Sequence, residues 1–259
     1  MAVYYTPGYA QASDQPMTHA RILWRNLAGT ISASSAAEGR AAGRAGQVDT
    51  ASWWQPQTAP AWWRIDYAAP QIVDAVGVAA HQLDGVTVRV EALVAGAWVQ
   101  VAEGTPPDRS AILLLFPAVA AAALRLRIDR VAPIGVIYTG QALAMPRAGY
   151  AALGMLDLRR TTTLTSYVSE GGQLLKRYIQ RGGLSGPCEW RNLPEDWYRA
   201  SFDPFARAAR TEPFFLASRP KTYAEDCVYG WVDASIVPQR QGMGNLVSVG
   251  FEVQAVGHE

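Results

Sequence analysis

Val86-Thr87-Val88-Arg89-Val90-Glu91-Ala92-Leu93-Val94 alternates apolar and polar residues, Ala95-Gly96 turns the chain, and Ala97-Trp98-Val99-Gln100-Val101 alternates back. A period of two puts one face of a strand against a core and the other in water. Two such runs joined by a tight turn predict a β-hairpin. Similar patterns recur along the first half of the chain. Ala20 to Leu27 fits a first strand, and the small residues from Ala28 to Gly46 fit a long surface loop. Trp62 to Tyr67 alternates and stops near Pro70, and Ile72 to Ala80 is apolar almost throughout, as a central strand is. Leu124 to Ile128 places Arg125 and Arg127 on a wet face, and Ile134 to Leu143 completes the set. Many short strands punctuated by turns predict a sandwich or barrel.

A boundary falls near Met145-Pro146-Arg147-Ala148-Gly149. Beyond it, Leu158 to Val168 is rich in β-branched threonine and favours a strand. Ser169 to Gly172 turns the chain, Gln173 to Gln180 returns, and Arg181-Gly182-Gly183 ends the hairpin. Leu193-Pro194-Glu195-Asp196-Trp197 and Asp203-Pro204 carry the proline and acids of a first helical turn. Strands are expected again over Phe214 to Ala217, Cys227 to Val237 and Leu246 to Val256. The predicted organisation is an arm over 1–17, a sandwich over 18–146 and a second sandwich with one short helical element over 147–259.

Composition removes several classes of function. Apolar residues make up 49% and charged residues 17%, which excludes a disordered chain. The net charge of +1 leaves no basic stripe for nucleic acid. Ala111 to Leu126, the most apolar stretch, is interrupted by Pro117 and falls short of the ~20 residues a membrane span needs. It is expected to form two buried strands around a turn, with no membrane insertion. Met1 to Ala12 lacks the pattern of a signal peptide, so synthesis in the cytoplasm is expected. Cys188 and Cys227 fit no zinc or redox spacing and are expected to be free, buried thiols, with a bridge between them left open.

Chemistry-bearing constellations are missing from the sequence. His19, His81 and His258 are scattered, with no Cys, Asp or Glu at metal-ligand spacing. No G-x-S-x-G elbow and no phosphate loop is present. The expectation is therefore a non-enzyme without a cofactor. The aromatic doublets Trp53-Trp54 and Trp62-Trp63 carry the most information, because neighbours on a strand face opposite ways. Three roles fit them: caps on the sandwich's own core, contacts with another subunit, or platforms for stacking sugar rings. Trp53, Trp54, His81 and Asp84 are taken as candidate ligand-binding residues. Trp197, Tyr198, Phe202 and Phe205, around the helical element, are taken as candidate subunit contacts.

These residues also resemble a known family. Asn26-Leu27-Ala28-Gly29-Thr30-Ile31-Ser32-Ala33-Ser34-Ser35 is similar to the opening of discoidin (F5/8 type C, galactose-binding-like) domains. Ser52-Trp53-Trp54, Trp62-Trp63-Arg64-Ile65-Asp66-Tyr67 with Pro70, Ile72 and Val76, Ala95-Gly96-Ala97-Trp98, and Leu124 to Ile128 follow in the family's order. The resemblance implies a jelly-roll β-sandwich used as a binding scaffold. The family's calcium loop here reads Arg44-Ala45-Gly46-Gln47-Val48-Asp49, so only Asp49 stands as a calcium candidate. The second half, from Ser169 to Ala217 and from Tyr229 to Gly257, resembles tail proteins of long-tailed bacteriophages and prophages. That resemblance implies a tail-tube-like sandwich that forms a homo-oligomeric ring in the tail tip or baseplate of a virion. Its implied partners are other copies of itself, other phage tail proteins and a host surface glycan. The alternative reading is a free discoidin-like lectin or a part of a glycoside hydrolase.

Overall fold

The computed structural model describes residues 2–9, 16–149, 160–242 and 244–256. Its elements run β1 (Ala2–Tyr5), β2 (Arg21–Leu23), β3 (Thr30–Ala33), a 3-10 turn (Ala42–Gly46), β4 (Ala61–His81), β5 (Val88–Val94), β6 (Ala97–Gly104), β7 (Ile112–Ile128), β8 (Ile134–Gly140) and β9 (Leu143–Ala144). They continue with β10 (Arg160–Val168), β11 (Leu174–Pro194), α1 (Glu195–Trp197), a π-helical turn (Tyr198–Phe202), α2 (Asp203–Ala208), β12 (Phe214–Arg219), β13 (Tyr223–Trp231), β14 (Gln239–Arg240) and β15 (Leu246–Val256).

The protein is an all-β sandwich, and two long bent strands build its first half. In β4, alternate residues are buried as far as Tyr67; the strand is exposed around Pro70 and then enters a second buried stretch. β7 does the same around Pro117. The first part of β4 pairs with β3 and with the last part of β7, which in turn pairs with β5. The last part of β4 pairs with β8, and the first part of β7 pairs in parallel with β1. Both strands therefore turn a corner and belong to two sheets, an outer β3-β4-β7-β5-β6 and an inner β8-β4-β7-β1. The register shifts between Asp66 and Gln71 and between Val73 and Ala75, where the extra residues let the pair bend. The two strands expected either side of Pro70 are thus one strand, as are those expected either side of Pro117. Proline is tolerated at each corner because pairing lapses there.

The expected jelly roll is present, but its ends belong elsewhere. β2 pairs with β12, and β9 pairs with β2, so residues on both sides of the jelly roll extend the C-terminal sheet, ordered β10-β11-β15-β13-β12-β2-β9. β1, from the segment expected to be an arm, is a strand of the inner sheet with Ala2 and Val3 buried. Arg181-Gly182-Gly183 does not end the return strand, because β11 runs on to Pro194.

Three cores alternate with the sheets. One fills the jelly roll, with Trp54, Trp63, Phe116 and Ile137. A second joins the inner sheet to the C-terminal sheet, with Leu113, Tyr138, Phe215 and Tyr229. A third lies under the helical segment, with Trp190, Phe202, Phe205 and Phe214. Successive residues of β12 divide between two of them: Phe214 and Leu216 point one way, Phe215 and Ala217 the other. A strand buried on both faces has no polar positions, which accounts for the continuous apolar runs in the sequence. The C-terminal sheet completes its sandwich by packing on the jelly roll. At that seam Gly77 is required, because a Cβ there would come within 2.6 Å of the Phe215 ring.

Candidate functional site

Four connections, 34–60, 82–87, 105–111 and 129–133, gather at one end of the jelly roll, where most of the candidate ligand-binding residues sit. Trp54 is fully buried, and its Nε1 donates to the Ser35 carbonyl at 2.9 Å. His81 is 2% exposed and held between the Ser110 carbonyl, 2.7 Å from Nε2, and the Leu83 N–H, which donates to Nδ1 at 3.2 Å. Neither side chain faces a ligand, which corrects the expectation for both. Alternation along the bridge that Trp54 makes with Ile134 turns that indole inward and leaves its neighbour outside. Trp53 is half-buried, with the Arg40 guanidinium 3.6 Å from its ring centroid. Asp84 is partly exposed and pairs with Arg109 at 3.0 Å, and that hydrogen bond holds its carboxyl below the usual range. Of the four, Trp53 and Asp84 remain accessible.

The second doublet divides in the same way: Trp63 is core, with Nε1 donating to the Ala42 carbonyl at 3.0 Å, and Trp62 is half-buried on the outer face. On that face Arg125 and Arg127 both engage Glu91, Arg64 engages Asp66, and Trp98 lies under Arg64 and Arg125. These charges are already paired within the sheet. Asp49 accepts from the Ala51 and Ser52 N–H groups at 2.9 and 2.7 Å and from the Ser52 hydroxyl at 2.8 Å, and these bonds lower its pKa. It closes its own loop, and among the described residues no group of three or more His, Cys, Asp or Glu could share a cation.

Asn26, in the motif that opens the discoidin resemblance, clamps β8: its Oδ1 accepts from the Thr139 N–H at 2.9 Å and its Nδ2 donates to the Ile137 carbonyl at 3.4 Å. A cleft of about 470 Å³ lies beside it, between the jelly roll and the end of the helical segment, lined by Trp24, Val48, Trp63, Tyr138 and Glu212. Sequence reasoning missed this cleft because its walls come from separate stretches that meet only in the fold.

The candidate subunit contacts are also largely core. Phe202 and Phe205 are fully buried, and their rings meet edge-on at 5.2 Å. Tyr198 is 6% exposed, and Trp197 packs half-buried against the same cluster. A helical segment with one face on a sheet spends its aromatics on that sheet. Uncovered apolar side chains concentrate on the β10–β11 hairpin, while others such as Ile72, Val99 and Val237 stand singly. Leu164, Tyr167, Val168, Leu174, Leu175, Tyr178 and Ile179 are each between 39% and 66% exposed. Leu164 stands opposite Ile179 and the adjacent Thr165 opposite Tyr178, so these two pairs lie on opposite faces. Tyr167 and Tyr178 stack at 6.0 Å.

The fold and these sites define a class: an all-β protein in which a jelly-roll sandwich is set into a larger sheet. Similar solved structures include carbohydrate-binding modules and a family 89 glycoside hydrolase from Clostridium perfringens, and those described cover less than half of the chain. A pectin-binding module is 15% identical over 45% of this chain and 91% of its own, with a TM-score of 0.38. The family 32 module of NanJ from C. perfringens, in complex with galactose, is 15% identical over 42% and 91%, with a TM-score of 0.39. Chitosan-binding module 1 of a Paenibacillus sp. IK-5 chitosanase/glucanase is 19% identical over 45% and 98%, with a TM-score of 0.40. No family model and no curated protein matches the sequence.

Proposed function

We propose that this chain is a structural subunit of a multi-copy assembly, of the kind found at the tail tip of a long-tailed phage, and that it carries a carbohydrate-binding-type sandwich as a fixed outer module. The observation that supports this reading is the apolar β10–β11 hairpin. Large apolar groups on both faces of a two-stranded ribbon are what a subunit shows before its neighbour arrives. The largely apolar core between jelly roll and sheet, into which Arg21 is also buried against Tyr9 and Met17, fits the same role, since it fixes the orientation of the module. Electron microscopy and light scattering of the purified full chain test the reading. Rings or a discrete oligomer are expected, and a monomer that joins no tail particle on co-expression with tail components counts against it.

A glycan-binding role for the jelly roll is the second reading, favoured by the half-buried Trp53 and the Asp84–Arg109 pair at its loop end. It predicts saturable sugar binding that Trp53→Ala abolishes. A silent glycan array removes it without touching the assembly reading.

A further inference from the structure

A second cleft opens where the C-terminal sheet curls back on itself. It measures about 350 Å³ and is lined by His19, Pro146, Arg147, Ala148, Arg191 and Asn192. Three separate stretches supply these walls. His19 precedes β2 and Pro146 follows β9, and the Met145 N–H, donating to the Ala20 carbonyl at 3.0 Å, ties the two stretches together. Arg191 and Asn192 belong to β11, which β15, β13 and β12 separate from β2 in the order of the sheet. The flanks of one curled sheet therefore face each other across this gap.

Local structure fixes the side chains around it. From Trp190 to Leu193, β11 takes one residue more than β15 takes from Val249 to Val247, so the strand bulges there and re-aims its side chains. Asn192 adopts a left-handed φ of 57° in the bulge, and its N–H donates to Gln241 Oε1 at 2.7 Å. The Glu189 carboxylate holds Arg191 through Nε at 2.5 Å. His19 Nδ1 lies 3.0 Å from the Met145 carbonyl oxygen. A carbonyl only accepts, so Nδ1 carries the hydrogen and Nε2 is the nitrogen that takes up a further proton.

The walls are rich in donors, and no carboxylate is among them. A guanidinium and a carboxamide offer several N–H groups each, and an imidazolium adds another. That set repels a cation and suits an anion. A planar carboxylate is satisfied by one guanidinium fork, whereas donors from three stretches match oxygens spread out of one plane. Two arginines and a protonated histidine also offset the charge of nearly −2 that a phosphate monoester carries at neutral pH. Pro146 and Ala148 form only a small apolar wall, so the rest of the ligand is polar.

We propose that this cleft binds the phosphate monoester group of a small polar molecule, held by Arg147, Arg191 and Asn192, with His19 as a further donor when protonated. The site is remote in sequence from the jelly roll's loop end and depends on neither reading above. The charged groups facing His19 are Arg21, Arg147 and Arg191. Burial lowers the His19 pKa, the Met145 bond opposes this and Arg21 adds to it, so the free protein holds the ring neutral at pH 7. A bound dianion reverses that balance and favours the imidazolium.

The test is calorimetric titration of the full chain with glycerol phosphate, with galacturonate as the carboxylate probe and sodium chloride at matched ionic strength as the blank. Saturable binding of glycerol phosphate is expected. Arg147→Gln and Arg191→Gln are each expected to weaken it about tenfold, the loss of one charge-assisted hydrogen bond. Arg147 is exposed in a bend beyond β9, so Arg147→Gln keeps the test decisive should Arg191→Gln disturb the bulge. The His19 ring signals, assigned in proton NMR spectra with His19→Gln, are expected to titrate at higher pH once the site is filled. Failure to saturate overturns the site, as does binding that both arginine variants retain or a His19 midpoint that stays put. Galacturonate binding as tightly as glycerol phosphate overturns the choice of phosphate.

Discussion

Phe215→Ala tests whether the jelly roll and the C-terminal sheet act as one cooperative body. Phe215 is fully buried in the seam, its ring centroid 4.8 Å from that of Tyr229 and 5.5 Å from that of Tyr138, with Gly77 making room for it across the layer. Truncating a buried phenylalanine costs about 3–5 kcal/mol in lost transfer energy and cavity. Collapse cannot recover much here, because the facing position is a glycine in a paired strand. In a chain of this length each kcal/mol moves the midpoint by roughly 2–4 °C, so a drop of about 6–20 °C is expected. Calorimetry reads the transition, and fluorescence of variants keeping Trp54 and Trp63 or only Trp190 reports each unit separately. Both are expected to melt together at the lowered temperature. A jelly-roll transition that stays at its wild-type midpoint while the rest melts early would show two independent bodies and refute the argument.

Burial raises the pKa of Asp74, whose Oδ1 accepts the Ala142 N–H at 2.7 Å, to about 6. The folded state then holds a proton that the unfolded state releases above about pH 4. The contribution of Asp74 to stability is therefore greatest below about pH 4, falls as pH rises through 6 and levels off beyond, opposite in sign to that of Asp49 and Asp84, whose lowered pKa values favour the folded state at higher pH. Asp74→Asn should flatten that window in urea titrations and stabilise the protein at pH 7 by about 1–2 kcal/mol. Cys188 and Cys227 are fully buried, and burial raises both thiols, Cys227 to about 12. A thiol reagent should label neither in the native protein and both in denaturant, and fast native labelling would contradict the packing. Trp54→Ala should destabilise by about 3–5 kcal/mol in denaturant melts, since it empties a core site and strands the Ser35 carbonyl.

Strand content was legible in the sequence because alternation and turn residues are local. The hairpin Val86–Val101 and the closing strand Leu246–Val256 form where the pattern places them. Strand continuity was less legible. Pro70 and Pro117 mark ends in a local reading, yet a corner between sheets also tolerates proline, and only the partner strand distinguishes the two cases. Membership of β2 in the far sheet depends on β12, nearly 200 positions away, and β9 joins that sheet only through β2, so no local window carries the information. For the site, one member of the first tryptophan doublet was bound to turn inward, but the sequence leaves open that it is Trp54. The phenylalanines near the helix attract attention as sticky surface, whereas the hairpin, rich in threonine and broken by glycine, hides its exposed leucines and tyrosines among polar neighbours.

The pairing of β2 with β12 also constrains the order of events during synthesis. β2 emerges early, but its partner arrives only after the whole jelly roll and the helical segment have been made. Until then Ile22 and Leu23, both fully buried in the finished protein, have no strand to lie against from the C-terminal half. Closing that contact in an unfolded chain means closing a very long loop; a jelly roll that has already folded brings β2 and β9 together and removes most of that loop. The inserted sandwich thus serves the nascent chain as an internal template: it sets down the first two strands of the sheet that the remaining half completes.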